Sequence, residues 1–233
     1  MKLETLTELN AERAARRPVV LITDTATGEQ RLVKAADVAN DPLRAELARQ
    51  LRMGKSGMIE VSGRKMFLNV YAPTARLVIV GAVHISQALV PIARSLGYDV
   101  TVVDPRTAFA SPERFPDVPL IAEWPDVALP PLNIDHYTAF VALTHDPKID
   151  DPALLHAFNC DCFYIGALGS RKTHGKRGER LKAQGATDAD VAKIHAPIGL
   201  SIGAVSPAEI AVSIMAEITA QLRLPPQDKE QAA

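Results

Sequence analysis

The chain has 233 residues, 47% hydrophobic and 23% charged, with 13 glycines and 17 prolines. That balance belongs to a globular protein and excludes collagen-like, low-complexity and wholly disordered chains. Lys plus Arg number 26 against 27 Asp plus Glu, a net charge of -1, and aromatics make up 5%. The chain therefore has no global field for nucleic acid or an anionic membrane, and little stacking surface for single-stranded bases.

The length allows one large domain, or a medium domain with a small partner, and a core that needs no covalent staples. Cys160 and Cys162 flank Asp161, which makes no disulfide framework and suits a reducing compartment. The first residues are polar rather than signal-like, and no 18-residue apolar run reads as a membrane span. A cytoplasmic protein with no membrane partner is expected.

Residues 2–16 place Leu3, Leu6 and Leu9 at helical spacing, with Glu4 early and Arg13, Arg16 and Arg17 late, and Pro18 stops the helix. Residues 19–22 read as a strand, Thr27 and Gly28 as a turn, and 31–34 as the return strand. Asp41-Pro42 opens a second helix with Leu43, Leu47 and Leu51 on one face and Gly54 at its end. Strands over 57–61 and 65–71 meet across Ser62-Gly63 as a hairpin. Residues 1–74 thus form a small α+β unit, bounded at Ala72-Pro73-Thr74.

The rhythm then changes. Residues 77–80 are a continuous apolar strand before Gly81, a helix follows over 85–96 to Gly97, and a second apolar strand covers 99–103. This is a βαβ unit, and strands apolar throughout imply a parallel sheet covered on both faces. Further strands are expected at 120–122, 139–143 and 162–165. Helices are expected at 152–158, 170–184 and 207–222, the last opened by Ser206, Pro207 and Glu209. The polar stretch 225–233 reads as a flexible tail.

Ligands of an open parallel sheet bind outside the carboxyl ends of its strands, and four loops lie there. The first, GAVHIS at 81–86, keeps only Gly81 of the dinucleotide fingerprint, with Val83 where a pyrophosphate must approach. It reads as a Rossmann-like scaffold that no longer binds a dinucleotide. Asp104 with Arg106 can read a ribose or an anion, or form a cap and a surface ion pair. Thr144, His145 and Asp146 follow a central strand; His145 and Asp146 are either a base with its orienter or plain capping residues. The fourth loop, Gly166 to His174, leaves a strand through Gly166 and Gly169 and enters a helix at Ser170, with Arg171 and Lys172 beside the N-terminus. That combination suits an oxyanion or phosphate. Lys176, Arg177, Arg180 and Lys182 read as a solvated basic face.

His195 opens an apolar loop with Gly199 and Gly203, beside the site rather than a strand. His84, His145, His195, Cys160 and Cys162 have no metal-ligand spacing. The cysteine pair is either buried or a carrier of a soft metal or sulfur. Seven of the 13 glycines lie between Gly166 and Gly203 and none completes the first fingerprint, which argues against the competing reading, an NAD(P)-dependent oxidoreductase.

Five segments, LVIVGAVHISQ (77–87), VVDPRTAFASPERF (102–115), LTHDPKIDDP (143–152), FYIGALGSRKTH (163–174) and IHAPIGLSIGA (194–204), followed by SPAEIAVSIMAEI, resemble in this order the XdhC/CoxI family of accessory proteins for molybdenum hydroxylases such as xanthine dehydrogenase. The likeness spans about residues 57–222. It implies a small N-terminal domain (1–74) and a Rossmann-like α/β domain (75–224), a parallel sheet flanked by helices. It also implies a maturation factor without catalysis of its own. Such a chaperone binds molybdenum cofactor (molybdopterin) as cargo, supports its sulfuration by a cysteine desulfurase, and inserts it into the apo-hydroxylase. The cofactor-binding set carried by the four loops is Gly81, His84, Asp104, Arg106, Thr144, His145, Asp146, Gly166, Gly169, Ser170, Arg171 and Lys172, joined by His195 from the neighbouring loop. The amphipathic first helix would suit a homodimer. The chain departs from many relatives at 54–58, GKSGM, which has no cysteine.

Overall fold

Residues 1–225 are described by a computed structural model and divide into two units, Met1–Pro73 and the chain from Thr74 on. The tail expected at 225–233 lies, from residue 226, outside the described residues.

In the first unit, helix α1 (Leu3–Ala14) buries Leu9 and leaves Leu3 and Leu6 exposed. Strand β1 (Val19–Asp24) turns at Gly28, whose φ of +71° needs a residue without a Cβ, into β2 (Gln30–Lys34). A 3-10 turn (Ala35–Asn40), which the pattern did not show, precedes α2 (Arg44–Met53). The Asp41 carboxylate accepts the Leu43 N–H, which delays the helix start past Pro42. β3 (Gly57–Val61) and β4 (Arg64–Tyr71) join at Ser62-Gly63, with φ of +53° and +75°. Two left-handed residues make the type I′ turn that matches strand twist. The sheet order is β2-β1-β4-β3, all antiparallel, and Val20, Ile22, Ile59 and Leu68 pack with Leu43 and Leu47.

The second unit runs β5 (Arg76–Val80), α3 (His84–Ser95), β6 (Asp99–Val103), β7 (Leu120–Ile121), α4 (Pro125–Ala128), β8 (Thr138–Ala142), α5 (Pro147–Phe158), β9 (Tyr164–Ala167), α6 (Arg171–Ala183), α7 (Asp188–Ala192), β10 (Ile194–His195) and α8 (Pro207–Arg223). All six strands are parallel, in the order β10-β9-β8-β5-β6-β7. This is the α/β, Rossmann-like architecture the apolar strands predict. Alternation sends Leu77, Ile79, Val102 and Val141 to one face, under Leu89 of α3 and Ile214 of α8. Val78, Val80, Phe140 and Ile165 go to the other, under Leu154 of α5 and Leu181 of α6. Each such fully buried side chain contributes roughly 1.5–3 kcal/mol.

Several boundaries differ from the pattern. α5 begins at Pro147, five residues before Pro152, because the Asp146 carboxylate accepts the Lys148 N–H and Pro147 takes the first helical position. β9 begins at Tyr164 rather than residue 162, since its register pairs Tyr164 with Ala139. His195, read as the start of a loop, pairs with Gly166, and Ile194 before it pairs with Ile165, as an edge strand. α4 and α7 were not visible in the pattern, although Thr187 and Asp190 make a full capping box for α7.

Gly166 is a strand residue, and a Cβ there would stand 2.6 Å from Ile198 Cδ1 and 2.7 Å from Tyr164 Cε1. Tyr164 is buried and hydrogen-bonded, so it cannot yield. Gly166→Ala is expected to lower stability by about 1–3 kcal/mol, as overpacked cores do, with urea denaturation as the measurement.

Candidate functional site

The strand order reverses between β5 and β8, so the crevice of this sheet lies where the loops after those strands meet. They meet without a gap. Gly81 has a φ of +119°, and a Cβ on it would lie 2.9 Å from Thr144 Cγ2. Its N–H donates to Val103 O, and buried Ser86 donates to its carbonyl. Arg114 pins the same loop, donating to Ala82 O at 2.9 Å and Gln87 Oε1 at 3.0 Å. His84 is exposed at the start of α3.

Asp104 ends β6 with 0% exposure. Its carboxylate accepts from Ala82 N (2.7 Å), Arg106 N (2.9 Å), Arg106 Nε (2.9 Å) and Arg106 Nη2 (2.7 Å). Burial pushes the carboxyl up, but the Arg106 guanidinium and the two backbone donors together hold it below the usual range. A carboxylate offers about four lone-pair sites, and all are spent inside the protein, leaving none for a ribose. Arg106 lies over the Phe109 ring at 4.4 Å.

After β8, Thr144 is buried and His145 is exposed with a φ of +64°. Asp146 caps α5 and makes no bond to the His145 ring, so the two are not a base with its orienter. The residue that organises this loop is Asp150, 1% exposed, which accepts from Thr144 Oγ1 (2.7 Å), Thr144 N (3.2 Å) and His145 N (3.0 Å). Burial raises its carboxyl overall despite those bonds. Arg177 Nη2 stands 3.9 Å from Asp150 and donates to Leu168 O at 2.7 Å. One buried cation therefore bridges the loops after β8 and β9. Arg177 is 2% exposed and does not belong to a solvated face. Arg180 pairs with buried Asp151, while Lys176 and Lys182 are exposed.

Gly169 (φ +138°) leads into Ser170, which caps α6 by accepting the Thr173 N–H. Arg171 and Lys172 are exposed beside that N-terminus and engage no described residue. His195 sits one residue inside the sheet, stacked on Tyr164 at 4.6 Å. Its Nδ1 is 2.9 Å from Glu217 of α8, a buried carboxylate that also accepts from Tyr164 Oη and from Gly199 N at 2.8 Å. Burial raises Glu217, but the His195 and Tyr164 contacts hold it below the usual range. The Nδ1 edge of the ring thus faces Glu217 and fixes its orientation.

Cys160 and Cys162 share a groove of about 240 Å³ with Lys193 and His195. Burial pushes Cys162 up to about 12, with Cys160 and Asp161 adding to it, and also raises Cys160. Both are half-buried rather than buried, and both are thiols at neutral pH, which speaks against a nucleophilic sulfur carrier. Among the described residues no cluster of three His, Cys, Asp or Glu side chains could hold a metal, and no helix is long and apolar enough to cross a membrane. The first unit holds a cavity of about 760 Å³ between Ile22, Leu43, Met66 and the Asp24–Arg64 ion pair, which no sequence motif marked.

Residues 77–218, the sheet and its flanking helices, match the XdhC Rossmann domain. This chain belongs to the XdhC family. It is 33% identical over 154 residues to a probable xanthine dehydrogenase subunit of Bacillus subtilis, covering 66% of this chain and 44% of that one. It is 32% identical over 154 residues to the molybdenum cofactor insertion chaperone PaoD of Escherichia coli, covering 66% and 42%. To YqeB of Escherichia coli it is 31% identical over 174 residues, covering 72% and 32%. The chain thus spans less than half the length of these curated relatives. A solved structure of a xanthine dehydrogenase from Bacillus halodurans superposes with a TM-score of 0.68 at 25% identity, covering 99% of this chain and 69% of that one.

Of the predicted residues, the XdhC sheet gathers Gly81, Asp104, Arg106, Thr144, Asp146, Gly169, Ser170, Arg171 and Lys172 at its carboxyl ends, with Gly166 and His195 one residue deeper. Sequence reasoning missed Arg114, Asp150, Tyr164, Arg177 and Glu217. For Arg177 a signal existed: it lies four residues before buried Leu181.

The Asp104–Arg106 pair sets an acid limit. A carboxyl held below its unfolded value contributes stability above about pH 4, and loses it as pH falls through the folded value. Arg106→Met is expected to cost the lower end of roughly 3–5 kcal/mol at pH 7, because the buried carboxylate loses its cation. The deficit of the variant should narrow as pH falls from 7 to 3, because the paired carboxylate of the parent loses stability on protonation whereas a buried Asp104 without its cation is relieved by it, read from melting temperatures of both proteins.

Proposed function

We propose that this chain carries molybdenum cofactor and inserts it into an apo-hydroxylase of the xanthine dehydrogenase type, in the cytoplasm, as a carrier rather than a catalyst. The supporting observation is the α6 N-terminus, where Ser170 caps the helix and exposed Arg171 and Lys172 stand free. A helix N-terminus with two cations suits the phosphate-bearing end of a pterin cofactor. The family membership and the name of the relative PaoD point the same way. In this reading residues 75–224 hold the cargo, and 1–74 form a separate domain that recognises the client. Sulfuration by a cysteine desulfurase proceeds on the carried cofactor, without a thiolate from Cys160 or Cys162. A nicotinamide dehydrogenase finds no support at Asp104, whose oxygens are all engaged.

The test is loading of purified apo-hydroxylase with cofactor in the presence of the protein. Stimulated activity is expected, and no stimulation by wild-type protein overturns the proposal. Arg171→Ala is expected to weaken cofactor retention about tenfold, or ~1.4 kcal/mol, measured by co-purified molybdenum; unchanged retention moves the anion contact elsewhere.

A further inference from the structure

Helix α6 carries two side chains whose donors the fold leaves unused. Arg177 is 2% exposed, yet its Nε and Nη1 have no hydrogen-bond partner among the described residues, and neither has the buried Nδ1 of His174. The two residues stand three apart on one helix face, about one and two turns along from the Ser170 cap. Only Nη2 is engaged, with Leu168 O at 2.7 Å. Asp150 balances the charge from 3.9 Å, beyond hydrogen-bond distance, and its oxygens are already turned to Thr144 and His145. One N–H on Nε and two on Nη1 are therefore unspent. An enclosed cation with unmade hydrogen bonds is costly, and a leucine or methionine at this core position would avoid that cost.

We propose that Arg177 and His174, beneath the N-terminus of α6, form a seat for a phosphate group, either free or at the end of a ligand. With one Nη2 proton spent on Leu168, the guanidinium keeps one complete edge, Nη2 together with either Nε or Nη1, and such an edge is the fork that meets two oxygens of a tetrahedral oxyanion. The backbone N–H groups and positive dipole end of the 13-residue α6 lie at the same place. Burial and Arg177 together favour neutral His174, whose Nδ1 donates when it carries the ring proton. Leu168 O and the Gly169 position lie against Arg177 Nη2, so the 168–170 turn is the neighbour that a bound anion displaces. Gly169, at φ +138°, is its pivot. The inference rests on reading the 166–172 loop as a ligand loop and deepens it, by placing the anion on the buried Arg177 rather than on the exposed cations alone.

The experiment is titration of the full chain with inorganic phosphate and, separately, glycerol 3-phosphate, by calorimetry and amide hydrogen exchange. Saturable binding is expected, with slowed exchange across residues 168–174. The tighter of the two ligands tells a free anion from a monoester end. Arg177→Lys, which keeps the charge and removes the fork, should weaken binding at least tenfold, and His174→Ala about threefold. Lys176→Ala, on the exposed face of the same helix, should leave it within twofold. Should Arg177→Lys fail to fold, His174→Ala and the exchange pattern decide. No saturable binding by the wild type, or binding equal in wild type, Arg177→Lys and His174→Ala, overturns the seat. Phosphate binding that depends on Arg177 without any cofactor loading retains the seat and removes the chaperone reading. Loading without phosphate binding does the reverse.

Discussion

A parallel sheet covered on both faces must turn its chain at the carboxyl ends of its strands, where backbone N–H groups are buried before helices can use them. Here buried carboxylates meet that demand. Asp104 takes the Ala82 N–H, Asp150 those of Thr144 and His145, and Glu217 that of Gly199. Each carboxylate also engages a side chain of another element or loop residue: Arg106, Thr144, and Tyr164 with His195. The loops of the sheet mouth are thereby held by charge-assisted bonds as well as by the apolar contacts of Ala82, Leu143 and Leu168.

This arrangement says little for net stability, because desolvating a buried ion pair offsets most of its attraction. Its consequence is geometric. The crevice between β5 and β8, where a doubly wound fold ordinarily admits a nucleotide, is closed by Gly81 against Thr144 and by Asp104 turned inward onto Ala82 and Arg106. The binding chemistry left available lies one strand further on, after β9, where α6 presents its N-terminus and where Arg177 has donors to spare. The Glu217–His195 contact is a second oriented group, on the opposite face of the sheet.

Much of the fold was legible because it follows from local rules. Runs such as 77–80 are too apolar and too short for anything but buried strands. Ser62-Gly63 can only turn tightly, and Ser206 with Glu209 reads as a helix start whose capping box is fully made. The elements that escaped, the 3-10 turn Ala35–Asn40, α4, α7 and the edge strand β10, are two to six residues long. At that length periodicity has no room to show, and pairing with a neighbour decides the outcome.

The sequence by itself determined the parallel α/β class, the small antiparallel N-terminal unit and the loops that reach the sheet mouth, since hydrophobic periodicity and turn chemistry act between neighbours along the chain. It also carried the family, through motifs whose order survives. Tertiary structure alone decided which polar side chains are spent. Asp104, read either as a ligand reader or as the partner of Arg106 in an ion pair, is consumed internally in that pair; Arg177 looked solvated and is enclosed; Glu217, in an apolar helix face, orients His195 from 22 residues away. Charge and hydrogen-bond partners depend on distances between elements remote in sequence, and those distances exist only once the core has packed.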